Sequence, residues 1–141
     1  MKKAKVFFAP VADAESLESQ AEKAVQLAEA AQFAKIIQKG RPCALKTHFG
    51  EGQGIGYIQP PICAAVADWV RRAGGQPFLT DTNTLYRGHR SNAVDHLLQA
   101  EEHGFTFEAV HAPVIIADGL HGADQVTVVV PCWSTLSPTL W

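Results

Sequence analysis

The segment from Pro42 to Thr80 constrains the fold more than any other part of the chain. Pro60 and Pro61 stand where a first helical turn tolerates a missing N–H. Ile62, Ala65, Val66, Trp69 and Val70 then recur at i, i+3, i+4, i+7 and i+8, which makes one apolar helix face. Arg71 and Arg72 fall in the last turn and Gly74-Gly75 ends it. Short apolar runs flank this helix, PCALKT (Pro42 to Thr47) before it and PFLT (Pro77 to Thr80) after it. Two strands joined through a helix pair in parallel, because a tight hairpin is not available to them.

The same alternation extends in both directions. Lys5 to Ala9 (KVFFA) reads as a first strand stopped by Pro10. A helix is expected from about Asp13, capped by Asp13, with Glu15 and Glu18 suiting the positive end of its dipole. It continues toward Ile37 with a break near Gln32. Ser91 is expected to cap a helix running through His103, with Val94, Leu97 and Leu98 buried. Phe105, Phe107 and Ala109 alternate as in a short strand, Val114 to Ala117 reads as a better one, and Gln125 to Val130 suits a hairpin. The order implies an α/β fold with a mainly parallel sheet and helices on both faces, Rossmann-like and three-layered. Residues 1–130 read as the N-terminal part of such a domain. Residues 131–141, PCWSTLSPTLW, form an aperiodic tail.

A chain of 141 residues suits one domain, and 47% hydrophobic residues allow a core. Twelve basic and fourteen acidic residues give a net charge of -2, which argues against a general nucleic-acid binder. No apolar stretch approaches the roughly 18–20 residues of a membrane span, and the apolar part of MKKAKVFF is too short for a signal peptide. A cytoplasmic protein with no membrane partner is expected. Cys43, Cys63 and Cys132 are far apart and form no CxxC, so buried free thiols are expected rather than a disulfide framework, a zinc finger or a cysteine-ligated cluster.

Two loops hold the side chains that a plain connection does not need. KTHFGEGQGIGY, Lys46 to Tyr57, follows one strand, and DTNTLYRGHRSN, Asp81 to Asn92, follows the next. Ligands of open α/β sheets sit at the carboxyl ends of strands. Gly50, Gly52, Gly54 and Gly56 alternate, so the backbone can approach a ligand and offer an anion nest. Their spacing matches neither a dinucleotide fingerprint nor a phosphate loop, and a merely flexible loop is the alternative. Lys46, His48, Glu51 and Asp81 are the candidate catalytic residues, for acid–base or metal work. The alternative is a hydrogen-bonded cluster that orders the loop. Gly50, Gly52, Gly54, Asn83, Tyr86, Arg87, Arg90 and Asn92 are the candidate ligand-binding residues. Arg87 and Arg90 suit a carboxylate or phosphate, or else an internal acid. The expected ligand is a small anion. No spacing identifies a metal.

The strings ALKTHFGEGQGIGYIQP, AGGQPFLTDTNTLYRGHRSNAVDHL, EHGFTFEAV and APVIIADGLHG occur in this order. Over roughly Lys3 to Val130 the chain resembles the uncharacterised proteins with an iron–sulfur centre built on domain of unknown function 362. The resemblance implies the first α/β part of a larger protein whose relatives carry a ferredoxin-like module with 4Fe-4S clusters. This chain has none of the cluster cysteines, so no cofactor is expected in it. The tail after Val130 looks like a truncation or a shifted reading frame. A non-catalytic fragment or scaffold that packs on a missing segment is therefore the alternative function, and self-association is expected from uncovered sheet edges.

Overall fold

A computed structural model describes residues 3–127. In chain order the elements are α1 (Leu17–Ala30), a single 3-10 turn (Phe33–Ile36), β1 (Pro42–Lys46), α2 (Pro60–Arg72), β2 (Gln76–Asp81), α3 (Ala93–Glu102), the one-turn α4 (Phe107–Val110) and β3 (Val114–Ile116). The strands form a three-stranded parallel sheet in the order β1-β2-β3, so the fold is the small α/β type read from the sequence. Leu45 lies opposite Leu79, and Leu79 opposite Val114. Both crossovers step across the sheet in the same direction. Right-handed connections then put α2 and α3 on one face. Cys63 and Ala67 of α2 and Ala100 of α3 accordingly share one core with Leu79, Ile116, Phe49 and Phe105. Val70 and Trp69 pack on Ala28 of α1 in a second, smaller core. Helices on the other face belong to crossovers in the opposite direction, which these three strands do not include.

α2 has the bounds its sequence implies, with the two prolines in its first turn and Gln59 in the cap position. Other elements differ from expectation for reasons that are visible locally. α1 starts at Leu17 because Ser16, not Asp13, is the cap: its Oγ accepts the Ser19 N–H at 3.2 Å. The break near Gln32 is present, with Gln32 in the left-handed region at φ 58°. Lys5 to Ala9 is not a strand. Its backbone pairs with nothing in the sheet, and Val6 and Phe8 are 88% and 83% exposed. An apolar run becomes a strand only when a neighbouring edge takes its N–H and C=O groups.

Asn92 caps α3 instead of Ser91, accepting the N–H groups of Val94 and Asp95 on Oδ1. His96, Gln99 and Ala100 of this helix face inward, and the expected core residues Val94, Leu97 and Leu98 are exposed. Phe105 to Ala109 is not a strand either. Thr106 caps α4 by accepting the Ala109 N–H, so Phe105 enters the core and Phe107 turns outward. β3 is present as expected. Residues 125–127 carry no strand, and the rest of the expected hairpin and the tail lie outside the described residues. Among the described residues no helix is long and apolar enough to cross a membrane.

Candidate functional site

Three parallel strands end at one edge of the sheet, so the loops that leave them must meet there. Lys46 is the last residue of β1 and Asp81 the last of β2. Lys46 Nζ lies 2.8 Å from Asp81 Oδ1, with the lysine side chain two-thirds exposed and the carboxylate almost fully buried. The loop after β3 joins through Asp118. Its carboxylate accepts the backbone N–H of Asn83 at 2.9 and 3.0 Å and the Asn83 amide at 3.0 Å.

Arg90 ties the two polar loops together. Nε and NH2 reach Glu51 Oε2 at 2.7 and 2.6 Å, NH1 lies 3.5 Å from Asp81 Oδ2, and NH2 donates to the Tyr86 hydroxyl at 2.7 Å. Tyr86 donates in turn to the same Glu51 oxygen at 2.9 Å. Burial pushes the Glu51 carboxyl up, but the hydrogen bonds from Arg90 and Tyr86 outweigh it and hold the group below its ordinary value. A buried guanidinium with two carboxylates and a phenol around it is satisfied from within. Of the two arginines, Arg90 is thus an internal strut, while Arg87 is exposed and forms no ion pair among the described residues. Asn92 is occupied as the α3 cap and also donates to Asp95 Oδ2 at 2.6 Å.

His48 is exposed, as Lys46 and Tyr86 are. Its Nδ1 accepts the Gly50 N–H at 2.8 Å. An accepting Nδ1 is unprotonated, so in the neutral ring Nε2 carries the hydrogen. Burial lowers the His48 pKa, as do the Arg90 and Lys46 charges, against the opposing pull of Asp81 and Glu51. The neutral ring therefore carries its N–H on Nε2, on an exposed side chain that feels the Lys46 charge.

Gly50 and Gly52 take positive φ, 95° and 50°, which lets the loop turn sharply between His48 and Glu51. Gly54 closes the turn by donating to the Glu51 carbonyl at 2.8 Å. The anchors of this loop were not among the candidates read from the sequence. Gln99 Oε1 accepts the Gly52 N–H at 3.0 Å, and the His103 ring nitrogens lie 2.7 Å from Phe49 O and 2.8 Å from Gly52 O. His96 is fully buried, edge-on to Phe49, with Nε2 3.7 Å from Asp81 Oδ2 and neither ring nitrogen hydrogen-bonded. Burial pushes its pKa down, so it is held neutral. His96, Gln99 and His103 recur at i, i+3 and i+7. That spacing puts all three on one side of the helix and is the signal that marks them. Among the described residues no group of three His, Cys, Asp or Glu side chains is arranged to hold a metal ion.

No match to the chain was found among curated proteins or among solved structures. A protein family matches over residues 43–138, which is more than half of the chain and includes both polar loops, β2, β3 and β1 apart from Pro42. The chain belongs to the family described as domain of unknown function (DUF362).

Proposed function

We propose that this domain binds a small anionic molecule at the carboxyl ends of β1 and β2, through the Lys46 ammonium and the His48 Nε2–H. One observation carries the reading: the Gly50 N–H occupies His48 Nδ1 and leaves the hydrogen on Nε2 of an exposed side chain, while Lys46, two residues before it, keeps two-thirds of its side chain in solvent. Arg87, exposed on the second loop, is the further cation available to the ligand. Glu51 and Asp81 hold the frame through Arg90 and are not the contact groups. A carboxylate or a phosphate meets this chemistry, since both accept from an ammonium and an N–H at once. A metal-assisted reaction would draw on Asp81 and His48, but nothing in the geometry favours it over anion binding.

The iron–sulfur centre suggested by the resemblance does not fit this chain. A 4Fe-4S cluster takes four thiolates, and the sequence has three cysteines. Cys63 is buried and Cys43 half-buried in an apolar groove between α1 and β1, both as free thiols.

Titration with inorganic phosphate and with citrate, followed by amide NMR, tests the reading. Shifts at Gly50 to Gly54 that saturate, weaken with salt and need roughly tenfold more anion in Lys46→Ala support it. Anion responses that are absent, or are unchanged in both Lys46→Ala and His48→Ala, overturn it.

A further inference from the structure

The ring of His103 sits inside the glycine-rich loop. Tyr57 stacks on one side of it, with ring centres 4.6 Å apart and planes 3° from parallel. Gly50 passes so close that a Cβ there would lie 2.1 Å from His103 Nδ1. Three polar groups meet the two ring nitrogens. Nδ1 faces the Phe49 carbonyl at 2.7 Å, whereas Nε2 faces both the Gly52 carbonyl at 2.8 Å and Gln99 Nε2 at 3.0 Å.

The Gln99 amide has only one orientation here. The Gly52 N–H is a donor and needs Oε1, at 3.0 Å, so Nε2 is turned toward His103. At Nε2 of His103 the two partners then ask for opposite things. The Gln99 amide donates and needs a lone pair. The Gly52 carbonyl accepts and needs a proton. A neutral ring donates from Nδ1 to Phe49 and satisfies Gln99. An imidazolium donates from both nitrogens, to Phe49 and to Gly52, and repels the Gln99 amide. Tyr57 is stacked on the ring, and Glu101 and Glu102, both exposed, are the adjacent titratable side chains on α3. Glu51, between the two anchored glycines, is engaged by Arg90.

We propose that His103 is the positioning residue of the glycine-rich loop, and that the proton on its Nε2 selects between two anchors, the Gln99 amide and the Gly52 carbonyl. The loop carries His48 and Glu51, so the selection sets where the donor of the candidate site points. A shift at Gly52 is passed on through Glu51 and Gly50, because packed interiors transmit strain.

The ligand-free protein tests this, so the result does not depend on whether the site binds an anion. The rings of His103 and His48 are followed by nitrogen-detected NMR across pH, together with the amides of Gly50, Gly52 and Gly54 and the Gln99 side-chain amide. The glycine and Gln99 signals are expected to move with the His103 ring, to keep doing so in His48→Asn, and to lose that response in His103→Gln. If His103→Gln does not fold, Gln99→Met removes one anchor and is expected to shrink the response at Gly52. Glycine signals that follow the His48 ring, or a response unchanged in the folded His103→Gln or in Gln99→Met, overturn the proposal.

Discussion

Arg90 reaches a single oxygen of Glu51 with two of its nitrogens, Nε at 2.7 Å and NH2 at 2.6 Å, across 39 positions of sequence. The same side chain approaches Asp81 at 3.5 Å and is almost fully buried. Removing it leaves Asp81 buried with the solvent-exposed Lys46 as its one charged partner among the described residues, beside the neutral His96 ring. Arg90→Ala is therefore expected to cost roughly 3 kcal/mol of stability. Urea unfolding of Arg90→Ala, Glu51→Gln and the double variant measures the coupling. A double variant that loses the sum of the two single effects would show that the pair does not act as a unit.

Gly50 and Gly56 belong to the same loop but should respond oppositely to a methyl group. At Gly50 the backbone is at φ 95° and a Cβ would collide with the His103 ring, while nothing lies within 4 Å of a Cβ at Gly56. Gly50→Ala is expected to destabilise by about 2 kcal/mol or more. Gly56→Ala should stay within about 0.5 kcal/mol of the parent. Thermal unfolding of the two variants side by side decides it, and equal effects would mean that His103 does not constrain the loop.

The buried His96 makes stability depend on mildly acidic pH. Its folded pKa lies below the ordinary 6.5, through burial, so the unfolded chain takes up a proton first as the pH falls. Stability is then fully present above 6.5 and declines below it, as unfolded chains bind protons that the folded ring refuses. His48, also lowered, acts in the same direction. The urea midpoint should drop between pH 7.5 and 5.5, and His96→Leu should reduce that drop. The Glu51 carboxyl adds a second loss at lower pH. Its folded pKa is depressed, so its contribution holds above 4.5 and disappears as the pH falls through the lower folded value.

Cys63 is buried, and burial pushes its thiol pKa up, away from the thiolate that binds iron. Anaerobic reconstitution with iron and sulfide is expected to leave less than stoichiometric metal on the full chain. A stoichiometric cluster whose visible absorbance is lost in Cys43→Ser or Cys63→Ser would contradict this.

The sequence alone determined the parallel α/β frame. Periodicity within α2 and the apolar runs on either side of it depend on neighbours a few residues away, and β1, α2, β2 and β3 all fall where those runs lie. It also marked both polar loops, because side chains such as Lys46, Glu51, Asp81 and Arg90 are not needed to make a turn. Only the tertiary structure decided what those side chains do. Arg87 and Arg90 look alike in sequence, yet one is exposed and the other is locked between Glu51, 39 positions away, and Asp81, nine away. The inward face of α3 was decided in the same way. Its strongest apolar residues, Val94, Leu97 and Leu98, point outward, while Gln99 and His103 on the other side hydrogen-bond the backbone of the glycine-rich loop. The N-terminal run shows the same limit from the other side. Val6 and Phe8 have strand-forming side chains, but whether a segment becomes a strand depends on an edge that takes its backbone hydrogen bonds, and no residue carries that information by itself.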